Sequence, residues 1–329
     1  MDNSFTPYDD AWRTMLNDAP RTLFPLINEM FKNRGIHLTG KEKLEFSANE
    51  IYLNRQDGEQ SKRITDSSFT INDGGIIRRF HIECQSSTDG SMVVRMFEYD
   101  AQIALNDARN NWESGDLFVK FPESGILYLR SAENMPDFVT TTIEVPSGET
   151  VSYNIPTLKI SDYSAEDIVE KKLFFLIPFY LFNFEKYFEQ IEEGDEKIIG
   201  QMLNQLGILS DALKEARKSR ELKETELMSI AGMFKKVLEH LTIDYENVRK
   251  EVLNNMGGKV LNYPQKTAYK LGDAERLVRA VQKNMKKYHV SLEDACDGCD
   301  SSLDEYTRAV DLLKNKGYLS LTVFRHNSI

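Results

Sequence analysis

The segment Phe80-His81-Ile82-Glu83-Cys84-Gln85 places two groups that can do chemistry, Glu83 and Gln85, at alternate positions. A nearby acid, Asp66, precedes the turn sequence Asn72-Asp73-Gly74-Gly75. Carboxylates on adjacent strands can hold a hard divalent cation, which lowers the pKa of a bound water and makes it a nucleophile. On this reading Asp66 and Glu83 are the ligands, with the carbonyl of Cys84 as a natural third. Gln85 could hydrogen-bond the water or a phosphate oxygen. It is neutral, so unlike a lysine it cannot neutralise charge or shuttle protons. The bland alternative is a solvated sheet face, since sheets often display acids.

The elements that must position these residues are a hairpin and the helix after it. Phe80, Ile82 and Cys84 alternate with Arg79, His81, Glu83 and Gln85, the period-2 pattern of a half-buried strand. The turn predicts a hairpin with strands at "RITDSSFTI" and "IIRRFHIECQ". If Asn72 pairs with Gly75, or Ile71 with Ile76, Asp66 falls opposite His81 and diagonal to Glu83, sharing a face with Glu83 and Gln85. His81 is expected at the surface. A helix is expected from Met92, with Met96, Tyr99 and Ile103 on one stripe and Arg95 one turn before Tyr99.

Around this centre, the stretch from Tyr8 to Phe31 has helical spacing, with Pro20 and Pro25 starting or bending its second part. Strands are expected at "LEFSANEIYL", "GDLFVKF" and "GILYLR", and a further hairpin around Pro146–Gly148. From Ser161 the period turns helical. Lys214 to Glu226 is almost wholly polar and reads as an exposed helix or a break. The fold class is therefore α/β: a mixed core of helix, sheet, helix and strand in residues 1–192, then an all-α region in residues 193–329.

Composition narrows the function. The net charge of −11 counts against a dedicated nucleic-acid binder, but not against a local basic surface. Between Lys259 and Lys287 eight basic residues face two acidic ones, which suits either a solvated helix face or a phosphate-binding one. The most apolar run, Leu173–Phe182, is shorter than the roughly 20 residues a membrane span needs, and Pro178 interrupts it. A buried helix kinked at Pro178 is expected, without membrane contact. Three cysteines and an acidic N-terminus fit a cytoplasmic protein without a disulfide framework. Cys296 and Cys299 lack a second ligand pair and read as non-metal. P-loop, GxGxxG, HExxH and GxSxG patterns are absent.

Together "RITDSSF", "HIECQSS" and "RMFEYDAQIAL" resemble the PD-(D/E)XK nuclease superfamily, most of all its Rpn branch of recombination-promoting nucleases and transposases. The resemblance runs from about Tyr8 to Phe182 in the family's order. It implies a restriction-endonuclease-like core and a Mg²⁺- or Mn²⁺-dependent DNA endonuclease tied to recombination or a mobile element. Asp66 and Glu83 would be metal ligands and Gln85 would stand in the place of the usual lysine. Arg95 and Tyr99 would brace the site or contact DNA, and Glu29 would match an acid on the first helix. The proline before the first acid is absent. Double-strand cleavage would favour a homodimer, with residues 193–329 serving DNA binding or dimerisation. The competing readings are a DNA-binding accessory protein without turnover, and a helical interaction module.

Overall fold

The computed structural model describes residues 7–46, 50–54, 60–64, 67–73, 75–86, 90–106, 108–111, 115–132, 135–256, 264–288, 290–299 and 301–315. Two compact units divide between Leu261 and Asn262.

The first unit begins with helix α1 (Pro7–Asp18), a 3₁₀ turn at Pro20–Thr22 and helix α2 (Leu23–Met30). Pro20 opens the second part, as its fixed φ and missing N–H favour. Strand β1 (Lys43–Phe46) follows, then a ribbon of β2 (Glu50–Asn54) and β3 (Gln60–Ile64), and the hairpin β4 (Ser67–Asp73) and β5 (Ile76–Gln85). Helix α3 (Met92–Asn106) leads through a short ribbon, β6 (Arg109–Asn111) and β7 (Asp116–Phe118), to β8 (Glu123–Tyr128). The hairpin β9 (Phe138–Glu144) and β10 (Thr150–Lys159) completes a six-stranded mixed sheet of order β1-β4-β5-β8-β10-β9. β5 and β8 run parallel with α3 between them in sequence, while β1, β4 and β5 form an antiparallel meander.

The hairpin register differs from the sequence expectation by two residues. Asp73 pairs with Ile76 and Ser68 with His81. Gly75 explains the difference: its φ of +100° puts a glycine where the turn needs a left-handed residue. Its N–H also donates to Asn72 Oδ1 at 3.0 Å. A shift of two keeps every side chain on its face.

One face of the sheet presents Phe69, Ile71, Phe80, Ile82, Cys84, Leu127 and Leu158 to α1 and α2. The same core takes in the whole of Leu173–Phe182, every residue of it buried. This run is not a kinked α-helix. It lies in a 3₁₀ segment over Phe174–Tyr187 with Pro178 inside, a position that supplies no N–H for an α-helical bond. Among the described residues no helix is long and apolar enough to cross a membrane.

Short helices α4 (Ala165–Glu170) and α5 (Phe188–Glu192) lead to α6 (Glu196–Lys218), α7 (Glu224–Leu241) and α8 (Glu246–Met256). The polar stretch resolves as the end of α6, then a break in which Arg220 takes φ +63°. The apolar stripes Met202–Leu206–Leu209–Leu213 and Leu227–Ile230–Phe234–Val237 are buried in the same core as the sheet. The division drawn at 192/193 is therefore displaced: α6 to α8 bury their stripes with the sheet, and the units part at 261/262.

The second unit comprises α9 (Pro264–Tyr288), α10 (Leu292–Asp297) and α11 (Leu303–Asn315) around Ala274, Val278, Val281, Cys296, Tyr306, Val310 and Leu313. Cys296 is buried and Cys299 Sγ lies 3.2 Å from the Asn284 amide donor.

Gly125 on β8 lies beside Ile82 under α2. A Cβ there would overlap Met30 Sδ and lie 3.3 Å from Phe31 Cζ, both buried. Gly125→Val is expected to cost about 1–3 kcal/mol by overpacking. In a urea-melt double-mutant cycle, Met30→Ala should recover part of that loss by vacating the space.

Candidate active site on the covered face of the sheet

The alternation of β5 suggests a half-buried strand, yet Phe80 to Cys84 are all buried. The reason is α3. Met92 and Met96 pack on Ile126, Tyr128 and Ile155, and so close the polar face of the sheet. Arg79 Nη1 donates to the Ile103 carbonyl at 3.3 Å, satisfying one of the last-turn carbonyls of α3. Polar side chains on that face must then find partners within the protein.

They do so through a chain of four residues. His81, fully buried, lies between two carboxylates: Nδ1 is 2.7 Å from Asp100 Oδ1 and Nε2 is 3.0 Å from Glu83 Oε1. Asp100 Oδ1 also accepts from Ser124 Oγ at 2.6 Å. A neutral imidazole has one N–H, so donating to both carboxylates requires the doubly protonated form. Burial alone would push the imidazole pKa down. Hydrogen bonds and charge attraction from Asp100 and Glu83 outweigh it and raise the value to about 9. His81 is thus a buried cation, contrary to its expected surface position. The edge of Tyr99 meets its ring at a centroid distance of 5.7 Å.

A second contact runs alongside. Arg95 Nη2 donates to Gln85 Oε1 at 3.2 Å. Arginine carries donors only, so it fixes the oxygen end of the Gln85 amide toward itself. The Gln85 NH₂ is left as the group offered to another partner.

The structure therefore brings together Glu83, Gln85, Arg95, Tyr99 and His81. Asp66 lies outside the described residues. Glu29 is not brought to the group. Its helix leads into Phe31, whose ring packs at a tilt against Phe80 on the opposite face of the sheet. Burial would raise the Glu29 carboxyl, but hydrogen bonds from Lys171, Lys32 and Tyr163 hold it below the usual range. Sequence reading missed Asp100 and Ser124. The available signal was Asp100 itself: it sits four residues after Met96 and three before Ile103, an acid on the apolar stripe of α3.

For a divalent cation the donor types are suitable in kind: the Glu83 carboxylate and the Cys84 carbonyl are hard oxygens. Among the described residues no three His, Cys, Asp or Glu side chains are grouped to hold a metal. Asp100 Oδ2 is buried with no hydrogen-bond partner among them.

Removing the cation between two buried carboxylates should be costly. His81→Ala is expected to lose about 3–5 kcal/mol, as for other broken buried pairs, in a denaturant melt near neutral pH. A raised folded-state pKa contributes stability that is fully present below the ordinary value of 6.5 and is lost as pH rises through about 9. Melting temperature should fall across that window in the native chain, and the histidine contribution to the slope should vanish in His81→Ala.

Comparison of the chain with protein-family models, with curated proteins and with solved structures finds no match.

Proposed function

We propose that the chain is a divalent-metal-dependent DNA endonuclease with a restriction-endonuclease-like core. The observation that carries this reading is the convergence of Glu83, Gln85 and Arg95, held by β5 and α3. The connection of an antiparallel meander through one helix to a parallel strand also supports it. So does the resemblance of "HIECQSS" and "RMFEYDAQIAL" to the Rpn branch of the PD-(D/E)XK nucleases.

In this reading Asp66, Glu83 and the Cys84 carbonyl would hold Mg²⁺ or Mn²⁺, which would lower the pKa of a bound water and polarise the phosphodiester. His81 fixes the direction of the Glu83 carboxylate, with Asp100 and Ser124 holding the imidazole from behind. Gln85 directs its NH₂ at the attacking water or at a non-bridging phosphate oxygen. Arg95 acts through Gln85, fixing that orientation and supplying the positive charge the amide lacks. Double-strand cleavage would engage two copies of the chain, one for each strand. Recombination or movement of a genetic element is the setting that the family resemblance supports.

A second reading has its own observation. Glu83 is only 3% exposed and one of its oxygens is engaged by His81. A carboxylate so enclosed also suits a protein that keeps the fold and binds DNA without turnover.

Supercoiled-plasmid cleavage separates the two. With Mg²⁺ or Mn²⁺ the native chain should nick or linearise plasmid, and EDTA, Asp66→Ala or Glu83→Ala should reduce this to background while the fold persists. Arg95→Ala, removing outer support, should lower the rate about 10- to 100-fold. Equal background in the native chain and all variants, across both metals, would favour the non-catalytic reading.

A further inference from the structure

The second unit has two unlike sides. On α9 the core stripe is Ala274, Val278 and Val281. The opposite stripe is Arg276, Arg279, Lys283 and Lys287, spaced by three, four and four residues and all exposed. Four residues of α-helix rise about 6 Å, so the cations form a ladder of nearly even rungs along one line. Arg279, Gln282, Lys283 and Lys287 line a shallow recess. At its end Lys287 Nζ lies 4.8 Å from the ring centre of Tyr288, which is itself 58% exposed.

Two acids of this unit are engaged at helix starts. Asp294 and Glu305 accept from Ser291 and Ser302 at the starts of α10 and α11, where the helix dipole also favours them. Among the described side chains of α9 the one acid is Glu275, and it pairs with Arg279. Lys283 and Lys287 form no ion pair among the described residues. In a chain of net charge −11, Arg276, Arg279, Lys283 and Lys287 thus line one exposed face of α9.

We infer that the Arg279–Lys283–Lys287 face of α9 binds the phosphodiester backbone of a nucleic acid. A line of cations matches regularly repeated phosphates, and the neutral Gln282 in its middle adds hydrogen bonds to phosphate or sugar oxygens. An exposed tyrosine at the end of a basic groove offers a surface on which a base can stack. Without a patterned set of side chains aimed at base edges, binding here is indifferent to sequence and strongly dependent on salt. The choice of nucleic acid over an acidic protein rests on the nuclease reading; the line of cations does not.

The test is fluorescence anisotropy of a labelled 20-base-pair duplex, and of a single strand of the same length, with the full chain in EDTA so that cleavage plays no part. Lys283→Glu/Lys287→Glu should weaken binding at least about 10-fold. Lys283→Gln/Lys287→Gln should make the slope of log K against log salt shallower by about 2 for duplex. Both variants should keep the native melting temperature. Binding that ignores both pairs of substitutions would overturn the inference, as would preferential binding of polyglutamate that the same substitutions abolish. Failure of plasmid cleavage with duplex binding still lost on charge reversal would sink the nuclease reading and uphold this surface. Intact cleavage with binding indifferent to reversal would do the opposite.

Discussion

The imidazolium of His81 between Asp100 and Glu83 is the contact on which the candidate site depends. Helix α3 closes the polar face of the sheet, and closure removes water from two carboxylates. An ionised carboxylate without water needs a cation or several donors. His81 supplies one N–H to each, and Ser124 adds a second donor to Asp100. If α3 shifted along the sheet, Asp100 would lose both donors at once. The network therefore ties the position of the helix to the direction of the Glu83 side chain. That tie is worth more to a site than to a fold, because a hydrophobic trio of the same volume would pack with less desolvation penalty.

The other face of β5 is built by shape alone. Phe69 and Phe80 stack at 5.5 Å, Phe31 covers them, and Gly125 leaves room for Met30. A strand enclosed this way on both sides has little freedom to slip, since a one-residue slip would drive Phe80 and Ile82 into the charged network. The close packing of one face thus fixes the register that the polar network on the other face requires.

These same particulars explain what was readable in the sequence. The alternation Phe80-His81-Ile82-Glu83-Cys84-Gln85 correctly divides the side chains between faces, because period 2 is a property of the strand itself. The hairpin was legible, but its pairing was placed two residues off. Turn composition marks where a chain reverses, and the choice between Asp73-Gly74 and Gly74-Gly75 depends on which residue takes the left-handed conformation. Helical spacing made Arg95 and Tyr99 legible as neighbours of each other, and only the family resemblance pointed to their place beside β5, where Arg95 meets Gln85 and Tyr99 meets His81. The burial of His81 was not, since alternation looks the same whether the polar side faces solvent or a helix. Asp100 was missed for the same reason: its partner is nineteen residues away, and only packing brings the two together. The boundary at 192/193 followed a change of period, yet α6 and α7 bury their stripes with the sheet. A change of secondary structure is not a change of core.

At the proposed site, Gln85 and Arg95 together would take the part of a single lysine. A lysine at position 85 would bring its own charge, and beside Arg95 it would meet a like charge that disfavours both. The amide avoids that repulsion and accepts from the guanidinium instead, at 3.2 Å. Its orientation is then set by chemistry, since the guanidinium cannot accept. The outward end of Gln85 is a donor polarised by a neighbouring cation, which approximates an ammonium in direction though not in acidity. The two rows that α3 lays against β5 are in this sense complementary. Asp100 reaches Glu83 through the His81 ring and fixes its direction, while Arg95 reaches Gln85 directly and orients its amide. One helix thereby sets the direction of the side chains at two alternate positions on one strand.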